Sequence, residues 1–300
     1  MKTIDTLIED IQELLALGIE NIEIPKEILS EFEENFRSTV TRQLEAVKEP
    51  SRLRMSNIGV PCERKLWYSV NEADNDDREA LKPEVRLKFI YGDLTEELIL
   101  LLAKLSGHSV VLTQKEVAIG GIYGHWDAVI DGMIVDVKSA TTFSFNKFRD
   151  GRLAEDDPFG YIPQLMSYLY CAQEIPEVTE KDKAAFLVFD KQLGHICLDV
   201  HKKVPWFDQI PEVVEHKKSL VASKDVPERS FSDEPDGAKG NRKLGLFCSY
   251  CDFKKVCYPN LKVFLYSGRP RFLSEVRNTP NVPEGKIETQ GFLKNKRAIV

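Results

Sequence analysis

Asp127, Asp136 and Lys138 lie within twelve residues of chain, on either side of the dipeptide Asp131-Gly132. Asp-Gly signals a two-residue hairpin loop, because a type I′ turn needs positive φ at both positions. With that loop Ile130 faces Met133, Asp127 lies opposite Asp136, and His125 lies opposite Lys138. Strand alternation then sends Trp126, Ala128, Ile130, Met133, Val135 and Val137 to one apolar face. The other face carries His125, Asp127, Val129, Ile134, Asp136 and Lys138. Side chains directly opposed on a ladder hold their Cβ atoms about 4.5–5.5 Å apart, and like charges there repel. Two carboxylates so placed either raise a pKa or hold a cation. A hard ion such as Mg²⁺ takes carboxylate and water oxygens. A neighbouring ammonium orients water or offsets charge on phosphate, which equips the face for metal-assisted phosphodiester hydrolysis. The plainer alternative is a solvated hairpin face on which Lys138 neutralises the acids.

The cysteines offer a second chemistry. Cys248-x₂-Cys251-x₅-Cys257 puts three thiols in one loop, and a fourth would close a tetrahedral site, for which Cys62 is the candidate. Zinc and iron–sulfur clusters both accept four thiolates, so spacing does not choose between them. Cys171 and Cys197 have apolar neighbours and read as packing residues.

These residues need elements to position them. Apolar spacing predicts helices over 3–17 and 26–47, the second opened by Pro25, and another over 83–105 that ends near Gly107. Strands follow at 110–119, 122–130 and 133–139 as a meander turning at Gly120-Gly121 and Asp131-Gly132. Next come a helix at 159–172, strands at 184–190 and 194–201, and a helix near 207–222. Residues 224–242, rich in Pro, Asp, Gly and Lys, read as a surface linker. The mixture predicts an α/β fold.

Charge does not exclude a nucleic-acid partner. The net charge is −7, but residues 1–50 hold twelve acids against five bases, a surplus equal to that of the whole chain. Residues 261–300 carry eight bases against three acids. Phosphate binding requires a local basic path rather than a basic total. The longest clear apolar run, 98–103, falls far short of the ~20 residues of a membrane helix. No basic-then-apolar leader opens the sequence, so a cytoplasmic protein with reduced thiols is expected, with no membrane partner. No Walker-type loop is present, so no helicase motor is expected.

Asp127 followed by Asp136-Val137-Lys138 after a short hairpin resembles the PD-(D/E)XK nuclease superfamily. Gln164-x₃-Tyr168 in the next helix resembles the QxxxY motif of its RecB-like branch. One cysteine before these motifs and three after resembles the iron–sulfur nucleases of that branch, including the CRISPR-associated exonucleases and their phage-encoded relatives. The resemblance spans roughly residues 58–260. It implies a restriction-endonuclease-like core, a central mixed sheet flanked by helices, over 51–260, between an acidic helical segment (1–50) and a basic tail (261–300). It also implies a four-iron, four-sulfur (4Fe–4S) cluster on Cys62, Cys248, Cys251 and Cys257, with zinc as the fallback. Mg²⁺ or Mn²⁺ would sit on Glu96, Asp127 and Asp136; Lys138 would position the attacking water, and Gln164 and Tyr168 would support the site or substrate. The implied activity is exonuclease action on single-stranded DNA ends in phage or bacterial recombination and repair. That would take place in the host cytoplasm if the gene is phage-borne, beside a recombination or replication protein.

One position departs from the family. Gly92-x₃-Glu96 stands where relatives have a glycine and a metal-binding histidine, with Glu97 as the rival acid. Arg64, Trp67 and Tyr68 either touch DNA or pack around the cysteines, and the second reading is preferred. Two other function classes stay open: a DNA-binding scaffold without turnover, and a zinc-binding adaptor.

Overall fold

The computed structural model describes residues 2–17, 24–45 and 51–297. In chain order its elements are α1 (Leu7–Leu17), α2 (Lys26–Leu44), α3 (Met55–Ile58), α4 (Glu63–Asn71), α5 (Pro83–Leu105), β1 (Val110–Val111), β2 (Lys115–Ile119), β3 (Ile122–Trp126), β4 (Ala128–Ile130) and β5 (Met133–Ala140). There follow α6 (Thr142–Arg149), α7 (Tyr161–Cys171), β6 (Lys183–Asp190), β7 (Ile196–Lys202) and α8 (Ile210–Ala222). The last are β8 (Glu234–Asp236), β9 (Asn241–Lys243), α9 (Leu246–Ser249), α10 (Lys254–Cys257), β10 (Lys262–Tyr266), β11 (Arg269–Glu275) and α11 (Gln290–Arg297). Among the described residues no helix is long and apolar enough to cross a membrane. The chain divides into two compact units, Met1–Gly59 with Pro83–His216, and Val60–Lys82 with Lys217–Val300.

The first unit is a mixed α/β layer structure. Its five-stranded sheet runs β1-β4-β5-β6-β7. The central pair β5–β6 is parallel and the other pairs are antiparallel. Parallel neighbours need a crossover, and α6 and α7 lie in it. Because helices cover both faces, β6 is apolar from Ala184 to Phe189 and β5 opens on Met133, Ile134 and Val135, all buried, rather than alternating. On one face Val129, Ile134, Phe186 and Val188 pack with Phe145, Leu165, Met166 and Leu169. On the other, Ile130, Val135, Val137 and Leu187 pack with Leu7 and Ile11 of α1 and Ile99, Leu100 and Ala103 of α5.

The acidic N-terminal helices are therefore part of this unit and not a separate segment. α1 contributes its apolar stripe to the core, whereas α2 leaves Leu29, Phe36 and Leu44 exposed. α2 meets α5 through half-buried Ile28 and Phe32 and through polar contacts: Arg42 to Asp93 at 3.2 Å, Gln43 to Asp93 at 2.7 Å, and Lys104 to Glu31 at 2.6 Å. The start of α7 is fixed by a backbone crossing. A Cβ on Gly59 would lie 2.1 Å from the carbonyl oxygen of Gly160, so only glycine lets these segments approach so closely.

The second unit holds a four-stranded antiparallel sheet, β10-β11-β9-β8. Two expectations are corrected here. The stretch read as linker supplies β8 and the start of β9, and the basic tail supplies the β10–β11 hairpin and α11. The hairpin turns at Ser267-Gly268, both at positive φ, and buries Val263, Phe264 and Leu273. Burial of that apolar set is what holds a segment whose composition looks like a tail.

Candidate active site

The Asp131-Gly132 turn forms as its chemistry requires, with φ of +48° and +84° and Ile130 paired to Met133. The ladder then stops at Ala128↔Val135. One residue earlier the chain leaves the sheet, because β3 pairs with β2 in a separate two-stranded ribbon, Lys115↔Trp126 and Glu116↔His125. The expected opposition of His125 to Lys138 is thus corrected: His125 is exposed on the ribbon, its ring 3.6 Å from Glu116. Trp126 crosses to the other core, where its Nε1 donates to Leu112 O at 3.0 Å. The break frees the Asp127 side chain to turn onto the end of the hairpin, where its Oδ2 accepts from Val137 N at 2.6 Å.

Asp127 and Asp136 remain neighbours. Asp136 is 2% exposed, and its Oδ2 is held by the Lys138 ammonium as ion-pair partner. Lys138 also sits 5.1 Å from the centre of the Tyr161 ring. From α5, Glu96 reaches the same place, where Gln114 Nε2 donates to it and lies 3.4 Å from Asp127 Oδ1. On α7 the four-residue spacing puts Gln164 and Tyr168 together, Nε2 donating to the phenolic oxygen at 3.1 Å. All six sequence-derived residues line one open cleft of about 1210 Å³. Glu97 does not: it lines a small hollow with Glu31, Asn35 and Lys104.

Electrostatics in the cleft are unbalanced. Burial, and next the Asp127 charge, hold the Glu96 carboxyl well above the usual range. Burial and the neighbouring Asp136 push Asp127 up to about 7, against the pull of Lys138, the Val137 N–H and Gln114. Burial works against the Lys138 charge, but Asp136 and Asp127 overcome it and hold the ammonium above its ordinary value. Burial raises the Tyr168 and Tyr161 phenols as well. Three carboxyls thus surround one ammonium, which pairs with Asp136 Oδ2, and their remaining oxygens are the donor type a hard cation takes. Among the described residues no three His, Cys, Asp or Glu side chains already form a metal-binding group. The carboxylates are convergent without being closed on one point.

The cleft also brings together residues that sequence reasoning missed. Arg52, Arg54, Lys88 and Lys191 are on its lining, as are Phe89 and Tyr123, about half exposed. Lys88 and Phe89 come from α5, Arg52 and Arg54 from the segment before α3, Tyr123 from β3 and Lys191 from just after β6, and these segments meet only in the fold. Gln114 is likewise invisible in the sequence, because it follows an interruption of what alternation reads as one strand.

In the second unit the four cysteines gather near α4. Cys62 caps that helix, its Sγ accepting from Lys65 N at 3.4 Å. The thiols of Cys62 and Cys257 act on the ionisation of Cys248, and that of Cys62 on Cys251. Burial first, and then these neighbours, push Cys248 up to about 11. Burial does most to push Cys251 up to about 12. Tyr68 stacks on Phe253 at 5.5 Å, with Trp67 edge-on to Tyr68, so the aromatics pack beside Cys251 and Cys257. Cys171 and Cys197 lie in the first unit, with thiols raised by burial to about 11 and about 12.

No family model matches the chain, and no curated protein does. Among solved structures it is similar to the crystal structure of SSO0001, at 17% identity and a TM-score of 0.39, over 75% of this chain and 95% of that one. It is also similar to a phage-related exonuclease from Haemophilus somnus 129PT, at 15% identity and a TM-score of 0.40, over 57% and 93% of the two chains.

Proposed function

We propose that the cleft is the active site of a divalent-metal-dependent deoxyribonuclease of the PD-(D/E)XK type. The observation that carries this reading is the gathering of three carboxyls, Glu96, Asp127 and the buried Asp136, in one cleft with Lys138 as the ion-pair partner of Asp136. A purely structural ion pair needs one carboxylate for one ammonium, and crowding two further carboxyls beside it is unfavourable unless a cation joins them. Glu96, Asp127 and Asp136 would hold Mg²⁺ or Mn²⁺, which when bound polarises a phosphate oxygen and lowers the pKa of water. Lys138, kept protonated by its two carboxylate neighbours, orients the attacking water and offsets charge that develops on phosphate. Gln164 and Tyr168 support the substrate side of the cleft. Arg52, Arg54, Lys88 and Lys191 supply phosphate contacts, and Phe89 and Tyr123 offer faces on which unpaired bases stack. That combination favours single-stranded DNA, and the family resemblance extends the proposal to strand ends in phage or bacterial recombination or repair.

The cysteines are assigned to a 4Fe–4S cluster on Cys62, Cys248, Cys251 and Cys257. Four neighbouring thiols within one unit support this, and zinc is the other metal they suit. Iron, sulfide and zinc analysis of anaerobically purified protein decides between them. A nuclease assay on end-labelled single- and double-stranded DNA, with and without chelator, tests the activity. Binding without cleavage in any divalent ion would point to a scaffold.

A further inference from the structure

Gln114 has a backbone that its residue type does not favour. Its φ is +50°, in the left-handed region that costs a non-glycine residue free energy. The conformation is held from both sides. Gln114 N donates to Asp127 O at 3.0 Å, and two residues earlier Leu112, also at +50°, offers its carbonyl to Trp126. This kink separates β1 from β2 and places the Gln114 side chain on the cleft lining. Glycine would take the same backbone without strain but would have no amide to present. Strain retained at such a position directs attention to the side chain.

That side chain does one specific thing. Its Nε2 donates to Glu96 and lies 3.4 Å from Asp127 Oδ1, so a single neutral donor stands between two carboxyls that repel each other. A lysine there would cancel the negative charge a cation needs. An alanine would leave the carboxyls to turn apart or to share a proton. The amide bridges them and leaves their charge intact.

We infer that Gln114 is a positioning residue for the divalent ion, its amide holding Glu96 and Asp127, which would bind the ion, in facing orientation. This rests on the metal-site reading above. Removing such an outer partner of metal ligands typically weakens metal affinity about 10–100-fold.

The test is Mn²⁺ binding to the full chain, measured by calorimetry without DNA. Asp136→Asn serves as the reference that assigns the signal to the cleft. Gln114→Met keeps the bulk and loses the donor; Gln114→Gly keeps the backbone and loses the side chain. Melting in chelator establishes that each variant is folded, and either one alone suffices. Both should bind Mn²⁺ about 10–100-fold more weakly, while cleavage at saturating Mn²⁺ returns close to the wild-type rate. A folded variant of either kind that binds Mn²⁺ as tightly as wild type overturns the role of the amide and leaves the metal site standing. A wild-type protein that binds no Mn²⁺ in the cleft overturns both.

Discussion

The carboxylate cleft and the cysteine cluster each crowd together side chains that repel or compete, but they are held in different ways. Asp136 and Lys138 sit on β5, which is bonded to β4 on one side and β6 on the other, with apolar residues packed on both faces. Cys248 and Cys257 sit on four-residue helices, α9 and α10, Cys251 in the loop between them and Cys62 at the cap of α4, around a small cluster of Trp67, Tyr68 and Phe253. Leu246 and Tyr250 beside them are largely exposed. A large core can hold repelling groups in place without an ion. A small one takes much of its folding free energy from whatever the thiols bind. The first site should thus persist empty, and the second should not.

The largest effect is expected where that contrast is tested outright. Removing the cluster metal, or replacing Cys251 by Ser, should open residues 246–258 to hydrogen exchange while the amides of β5 and β6 stay protected. Cys171→Ser and Cys197→Ser should leave metal content unchanged. Exchange mass spectrometry with metal analysis checks this, and equal loss of protection in both regions would break the comparison.

Next in size is the ion pair. Lys138→Ala leaves the buried Asp136 charge without its ammonium, and breaking such a pair costs about 3 kcal/mol. Urea unfolding in chelator measures it. Adding Asp136→Asn to Lys138→Ala should recover part of the loss, since no uncompensated charge then remains.

Much of the first unit was legible because local signals dictated it. The Asp131-Gly132 turn set the register of β4 against β5, and apolar periodicity placed α5 and α7, hence Glu96, Gln164 and Tyr168. The break at Asp127 was not legible, because alternation runs smoothly through it; only the pairing of β3 with β2 and of β4 with β1 bends the chain. In the second unit three-residue strands lie within a Pro- and Gly-rich stretch, too short for periodicity to register. The Ser267-Gly268 turn was a readable hairpin signal, obscured by the basic residues around it. Gln114 and the cleft cations are products of tertiary assembly, and no spacing announces them.

A smaller effect follows from the pH behaviour of Asp127. Its carboxyl is raised in the fold to about 7 from an ordinary value of 3.8, so the folded protein binds the extra proton between those limits. The unfolded chain binds fewer protons there, and this group's contribution to stability falls as pH rises from about 4 through about 7. In chelator, Asp127→Asn should therefore gain on wild type in urea midpoint between pH 5 and pH 8. A gap between the two that ignores pH would show that Asp127 ionises freely.

The smallest expected change concerns metal preference. Glu96 faces Gln114 and the cleft, whereas Glu97 lies with Glu31, Asn35 and Lys104. Carboxylate oxygen suits Mg²⁺ and imidazole nitrogen suits transition metals. Glu96→His should shift the ratio of initial rates toward Mn²⁺, and Glu97→His should leave it alone. A ratio that follows residue 97 would reassign the third ligand.

Whether the cleft is a metal-dependent nuclease site is decided by the decay of end-labelled single-stranded DNA with wild type and Asp136→Asn, each in Mg²⁺, Mn²⁺ and chelator. Wild type should shorten the DNA in either ion and not in chelator. Asp136→Asn should be slower by roughly 10³-fold, since a catalytic metal supplies several kcal/mol at one decade per ~1.4 kcal/mol. Cleavage that survives chelator, or that Asp136→Asn leaves undiminished, would contradict that assignment.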